Sequence, residues 1–215
     1  MNILYFCHIP KTAGYYVEET LFSALNETCK NNGLDTSVVL KYGHFGWKPV
    51  NEDTYIFTIS RNPINRTVSH FVYYNPEITT LSIEEAKKHM LEFVENNSFM
   101  HNYQTKYLCS MTVENHSNDI FMDNGTNGYK EKFDRVNKIV KSENINPEKL
   151  KDLYYYFCMT RGLGDPILNV RFPEYRIIEN ISGAARAIRD SLTMSEVKYL
   201  ESINEKDFEF YERGD

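Results

Sequence analysis

The sequence predicts an α/β fold, with a parallel sheet flanked by helices, and three observations predict it. Short apolar runs at residues 2–7 and 55–59 carry no helical period, as in strands buried on both faces. Segments of helical period lie between and after them, and that alternation is the pattern of a helix-covered parallel sheet. The length, 215 residues, suits one α/β domain with a core large enough to need no disulfide or metal staple. No repeat or low-complexity linker divides the chain, so residues 1–215 are read as a single domain.

The elements follow in order. Asn2–Cys7 is the first strand, residues 8–14 a loop, and Tyr15–Lys30 a helix with Val17, Leu21, Phe22, Ala24 and Leu25 on its apolar side. Ser37–Tyr42 is a candidate second strand. Tyr55–Ile59 is a buried strand, which Asn62-Pro63 breaks sharply. Helices are expected over Pro63–Tyr74 and Ser82–Asn96, the second opened by a capping box, Ser82-Ile83-Glu84-Glu85. Residues 112–130, polar and rich in Asn and Gly, read as a long loop, a candidate acceptor-facing or mobile segment. Tyr154–Met159 reads as a late core strand, and the tail as two helices, Ser182–Ser191 and Ser195–Asn204.

Composition excludes several classes. Hydrophobic residues make up 41% and charged residues 25%, which is globular rather than disordered usage. Lys and Arg number 24 against 30 Asp and Glu, for a net charge of −6. That balance argues against nucleic-acid binding, which needs a cationic excess, but leaves room for one small cationic pocket. Cys7, Cys29, Cys109 and Cys158 are scattered without metal-ligand spacing, so no zinc site is expected and they read as reduced core residues. No apolar run approaches the ~18 residues of a membrane span. The N-terminus carries no signal-peptide pattern, so a soluble, cytoplasmic protein without a membrane partner is expected.

Two segments carry chemistry. His8-Ile9-Pro10-Lys11-Thr12-Ala13-Gly14 joins the first strand to the first helix, the place where open parallel sheets bind ligands. Gly14 and its small neighbours let backbone N–H groups wrap an anion, and Lys11 adds a mobile charge. An ordinary strand-to-helix turn fits the same residues. It is not a Walker A loop, because the first glycine of that motif is missing. The second segment, Ser60-Arg61-Asn62-Pro63-Ile64-Asn65-Arg66-Thr67-Val68-Ser69, follows the second buried strand. Arg61 as a fork and Ser69 as a hydroxyl donor can face the same crevice and hold another phosphate. The alternative is an exposed Arg and a helix-surface Ser.

Taken together these motifs resemble a known family. His8–Gly14 is similar to the 5′-phosphosulfate loop (H-x-P-K-T-A-G) of sulfotransferases that use 3′-phosphoadenosine 5′-phosphosulfate (PAPS), especially the carbohydrate branch of heparan 2-O- and chondroitin type. Arg61-Asn62-Pro63-x-x-Arg66-x-x-Ser69 resembles the 3′-phosphate motif of the same family. Gly43-His44-Phe45, Asn102-x-Gln104-Thr105-Lys106-x-Leu108 and Asn204-x-x-Asp207-x-x-Phe210-Tyr211 resemble further elements, in the expected order. The resemblance implies a P-loop-like sulfotransferase fold, PAPS as donor, PAP as product, and a hydroxyl acceptor on a glycan. It implies that Pro10, Lys11, Thr12, Ala13, Gly14 and Tyr15 surround the 5′-phosphosulfate, with Lys11 on the leaving phosphate. Arg61 and Ser69 would take the 3′-phosphate, with Arg66 either bracing that site or pairing with an acidic neighbour.

His44 is the candidate general base, since an imidazole of ordinary pKa near 6.5 suits proton abstraction at neutral pH. His8 reads as a structural hydrogen-bonder. His101, Asn102, Gln104 and Lys106 are candidate acceptor-side residues, and no metal is required. The chain departs from the family at Tyr15 and Tyr16, where Thr or Ser is usual. It also lacks the anchor and stem of Golgi members, which favours a microbial or viral protein or an isolated catalytic domain. Tyr73-Tyr74, Tyr103–Tyr107 and Tyr154–Tyr156 fit either a sugar-stacking cleft or core packing. Two other readings stand beside the first. One is a PAP- or PAPS-binding protein without transferase activity. The other is a P-loop-like kinase, disfavoured because the strand before Arg61 ends without a carboxylate for Mg²⁺.

Overall fold

A computed structural model describes residues 2–25, 38–43, 54–109, 126–162 and 183–215. The chain is α/β. Strands β1 (Asn2–Cys7), β2 (Val38–Gly43), β3 (Thr54–Ser60) and β4 (Lys138–Lys141) form a parallel sheet in the order β2-β1-β3-β4. Cys7 stands opposite Gly43 on one side and Thr58 on the other. The order turns back on itself between β1 and β3. This places a crevice at the carboxyl ends of those two strands, where an open parallel sheet receives ligands.

The continuous apolar runs are explained by burial on both faces. Leu4 and Phe6 of β1 join Tyr55, Phe57 and Ile59 of β3 in one cluster. Ile3, Tyr5 and Cys7 face the other way, into a cluster with Ile56, Ile139 and Phe210. Side chains alternate along a strand, so two apolar faces need an unbroken apolar run. Helices cover both faces. On the first lie α1 (Gly14–Val17), continued by a π-helical stretch over Glu18–Phe22, and α6 (Pro147–Thr160). On the second lie α4 (Tyr103–Cys109), α5 (Tyr129–Asp134) and α9 (Glu205–Glu212). An outer layer packs α2 (Pro63–Tyr74), α3 (Ile83–Asn96), α7 (Gly183–Asp190) and α8 (Met194–Ile203) around Val68, Met90, Ile188 and Leu200.

Local signals set most helix starts. Asn62 Oδ1 accepts from the Ile64 and Asn65 amides, and Pro63 takes the first helical position of α2. Ser82 and Glu85 form the expected reciprocal capping box. Thr193 and Glu196 repeat it at α8.

Three expectations are corrected. Tyr154–Met159 is helical, not a strand: Asn146 caps α6 and Pro147 opens it, and Leu150, Leu153, Tyr154, Phe157 and Cys158 recur at helical spacing on its buried side. The end of the 112–130 segment is not loop, since α5 begins at Tyr129, while residues 110–125 lie outside the described residues. The tail holds a further helix, α9, beyond the two expected. Residues 26–37, with Cys29 and the expected end of the first helix, also lie outside the described residues. Cys7, Cys109 and Cys158 are buried. Among the described residues no helix is long and apolar enough to cross a membrane.

Candidate functional site

The crevice is built from the loop after β1, the end of β3 and one face of α2. Thr58 Oγ1 donates to the Cys7 carbonyl at 2.7 Å and ties the two strand ends together. Beyond that tie, Arg61 Nη1 donates to the Lys11 carbonyl at 2.9 Å, so the two predicted motifs meet directly. The loop backbone is unusual: Lys11 and Ala13 adopt left-handed φ values of 69° and 73°. Left-handed residues alternating with right-handed ones can turn successive backbone N–H groups to one side, the geometry of anion-binding nests.

The loop is braced from below. The His8 imidazole stacks on Phe6, with centroids 5.4 Å apart, and its Nδ1 lies 3.1 Å from Glu18 Oε1. His8 therefore has the structural role expected of it. The ring fills the space beside Gly14, where any Cβ would collide with it. Thr12 is buried, and its hydroxyl donates to the Ile9 carbonyl at 2.7 Å, which leaves its oxygen lone pairs to accept. Pro10 is half-buried in the loop, and Tyr15 points outward, 60% exposed.

Helix α2 supplies the far wall. Arg66, Ser69, His70 and Tyr73 recur at helical spacing along it. The Lys11 ammonium sits 3.9 Å above the Tyr73 ring. Ser69 is buried one turn before Tyr73. Arg66 is 0% exposed, its guanidinium 3.9 Å from the centre of the Tyr103 ring, and among the described residues none of its three nitrogens has a hydrogen-bond partner. Among the described residues none of Lys11, Arg61 and Arg66 forms an ion pair with a carboxylate.

Burial lowers the pKa of each of these groups. Burial first, and Arg61 second, lower the Lys11 pKa. Burial and then Arg66 push Arg61 down to about 10, against a smaller opposing effect of Glu143. Arg66 is also lowered, chiefly by burial, although Tyr103 and Asp207 oppose the shift. Burial and then the fields of Arg66 and Lys11 take His70 from 6.5 to about 3. The folded chain thus keeps His70 neutral where the unfolded chain would protonate it. Between those values the unfolded state binds more protons, so stability is lost progressively as pH falls below 6.5. Circular dichroism melts are expected to show Tm falling from about pH 6.5 to 4, with a flatter profile in His70→Phe. Parallel profiles would remove His70 as the cause.

The acceptor-side candidates have architectural partners. His101 Nε2 lies 3.1 Å from the Val94 carbonyl, and Lys106 Nζ donates to the Ser98 carbonyl at 2.6 Å. The Asn102 amide donates to Asn204 Oδ1, while Asn102 Oδ1 accepts from the Lys206 and Asp207 amides. Gln104 is fully buried and bonds the backbone of Arg61 at both of its polar ends. The two late motifs are therefore the two sides of one contact between α4 and the start of α9.

Of the tyrosine stretches, Tyr103, Tyr107 and Tyr154 are core residues, while Tyr73 and Tyr74 are exposed beside Lys11. His44 and Phe45 lie outside the described residues; β2 ends on Gly43, immediately before them. Sequence reasoning missed His70 and Glu143, and singled out Tyr73 only as one of a tyrosine pair, not as the ring under Lys11. His70 could have been found from its spacing to Arg66. Glu143 follows β4, a four-residue strand that gave no signal. It receives hydrogen bonds from Ser142 and Tyr211. Among the described residues no group of three or more His, Cys, Asp or Glu could hold a metal ion.

In comparisons with known proteins, no family model matches the chain, and neither a curated protein nor a solved structure gives a significant match.

Proposed function

We propose that this protein is a PAPS-dependent sulfotransferase of P-loop-like fold, moving a sulfuryl group to a hydroxyl of a carbohydrate. The observation that carries the reading is the convergence of Lys11, Arg61 and Arg66, none of them in an ion pair with a carboxylate among the described residues, and Arg66 wholly buried. Burying cations costs several kcal/mol each unless an opposite charge meets them. A ligand with two separate phosphate-type groups would meet them here, and PAPS has a phosphosulfate at 5′ and a phosphate at 3′.

In this reading the N–H groups of Thr12, Ala13 and Gly14 receive the 5′-phosphosulfate, beside Pro10 and Tyr15. Lys11 leaves the Tyr73 face to neutralise charge growing on the leaving phosphate. Arg61 and Ser69 hold the 3′-phosphate, and Arg66 supports them through its field. His44 takes the proton from the acceptor hydroxyl, a role that rests on its sequence context. The hydroxyl oxygen forms the new bond to sulfur as the bond from sulfur to the bridging phosphate oxygen breaks, leaving PAP. Exposed Tyr73 and Tyr74 offer ring faces of the kind sugars pack against.

A thermal-shift panel with PAP, ATP and AMP tests the donor. PAP is expected to stabilise the chain most, and Arg61→Ala to lower that preference. Stabilisation by ATP with none by PAP would sink the reading and favour a kinase. Transfer from radiolabelled PAPS to a glycan panel then separates an enzyme from a nucleotide-binding protein, and unchanged transfer in His44→Ala would remove the proposed base.

A further inference from the structure

The backbone of Arg61 is held in a way its position does not require. Arg61 stands one residue beyond the end of β3, where strand pairing no longer fixes it. Its amide donates to Gln104 Oε1 at 3.0 Å, and its carbonyl accepts from Gln104 Nε2 at 2.8 Å. A single side-chain amide thus does what a neighbouring strand would do, at a residue whose guanidinium reaches across to the Lys11 carbonyl. Gln104 is in turn fixed from behind. Asp207, fully buried, accepts from the Gln104 amide at 2.9 Å and the Thr105 amide at 2.7 Å, and so satisfies donors in the first turn of α4. Asp207 is itself set by Asn102, whose Oδ1 accepts its amide.

We propose that Asp207 and Gln104 are positioning residues for Arg61: Asp207 fixes the first turn of α4, and Gln104 transmits that fix to the strand end that aims the guanidinium. Neither residue touches the ligand. The inference rests on the nucleotide reading only for what Arg61 binds; the fixing of Arg61 is a property of the chain without ligand. The relay also explains why a buried carboxylate is kept where burial raises its pKa against the pull of two backbone N–H groups and Arg66.

The test uses the whole chain with Gln104→Leu and the milder Asp207→Asn, with two readouts. The first is amide exchange at Arg61 in the ligand-free protein, followed by ¹⁵N NMR. The second is affinity for PAP against AMP, which lacks the 3′-phosphate. Exchange at Arg61 is expected to quicken at least about tenfold in Gln104→Leu and less in Asp207→Asn. PAP affinity is expected to fall about five- to tenfold while AMP affinity holds. Arg61→Ala in the Gln104→Leu background should then cost PAP little more, since both act through one group. Unchanged exchange, or equal losses for PAP and AMP, overturns the relay. Quickened exchange in a protein whose wild type binds neither nucleotide upholds the relay and overturns the nucleotide reading instead.

Discussion

Lys11→Ala is expected to lower sulfuryl transfer about a thousandfold while the chain stays folded and holds PAP within about tenfold of wild type. The separation follows from what the side chain does and does not do. The contact that joins the two motifs uses the Lys11 carbonyl, not its ammonium, so it survives truncation. Alanine keeps the Cβ, so the left-handed φ of 69° is neither relieved nor worsened. What is lost is one mobile cation, half-buried over Tyr73, that the proposed reaction needs only as the leaving oxygen gains charge. Removing a neighbour also eases the repulsion on Arg61 and His70, which partly offsets the lost attraction for PAP. Single-turnover transfer from radiolabelled PAPS, beside PAP titration, reads both quantities. Transfer within about tenfold of wild type would dismiss Lys11 from the chemistry.

Gly14→Ala is expected to be the most damaging single methyl in the loop. The added Cβ would occupy the place of the His8 imidazole. To make room the ring must leave the Phe6 face and the Glu18 carboxylate, or α1 must draw back from the end of β1. Overpacking of this kind costs about 1–3 kcal/mol. At roughly 2–4 °C per kcal/mol for a chain of this size, Tm should fall by about 2–12 °C. PAP affinity should fall at least about tenfold, because the Thr12–Gly14 amides move with the loop. His8→Ser in the same chain should restore part of the Tm, since it removes the object of the collision. A Gly14→Ala protein that melts and binds as wild type would show that the loop does not depend on this close approach.

Much of the fold was legible wherever the determining contacts are local. Pro63–Tyr74 could be bounded because Asn62 caps it and Pro63 opens it, and Ser82 announced its helix through Glu85. The buried strands declared themselves because both faces are covered. The segment Tyr154–Met159 was misleading because three successive tyrosines and a Phe favour strands, while its helix is set eight residues upstream at Asn146 and by packing against the sheet. The strand Lys138–Lys141 is too short, and flanked by lysines too polar, to stand out. At the candidate site, Lys11 and Arg61 were legible as residue types after strand ends and Ser69 by its helical spacing from them, and so was the role of His8. That Arg66 is wholly buried, and that Gln104 serves Arg61 rather than solvent or a substrate, depends on which helix packs beside β3. No local pattern encodes that.

The contact between Asp207 and α4 also bears on how the chain reaches its native state. Asp207 closes on Gln104 across 103 residues of sequence, and Gln104 on Arg61 across another 43. Contacts of such separation form slowly, because a long loop must close before any of them is rewarded. The strand β1 and the loop after it close on β2 and on the end of β3, with Lys11 and Arg61 50 residues apart, a shorter loop than the one between Gln104 and Asp207, so they can take shape earlier. Arg61 acquires its fixed backbone only once the last helix has docked. Competence to hold the proposed nucleotide should therefore appear in the final phase of refolding, later than the recovery of helical signal, and in the proposed reading a PAP-binding signal in stopped flow would serve as a clock for the docking of α9.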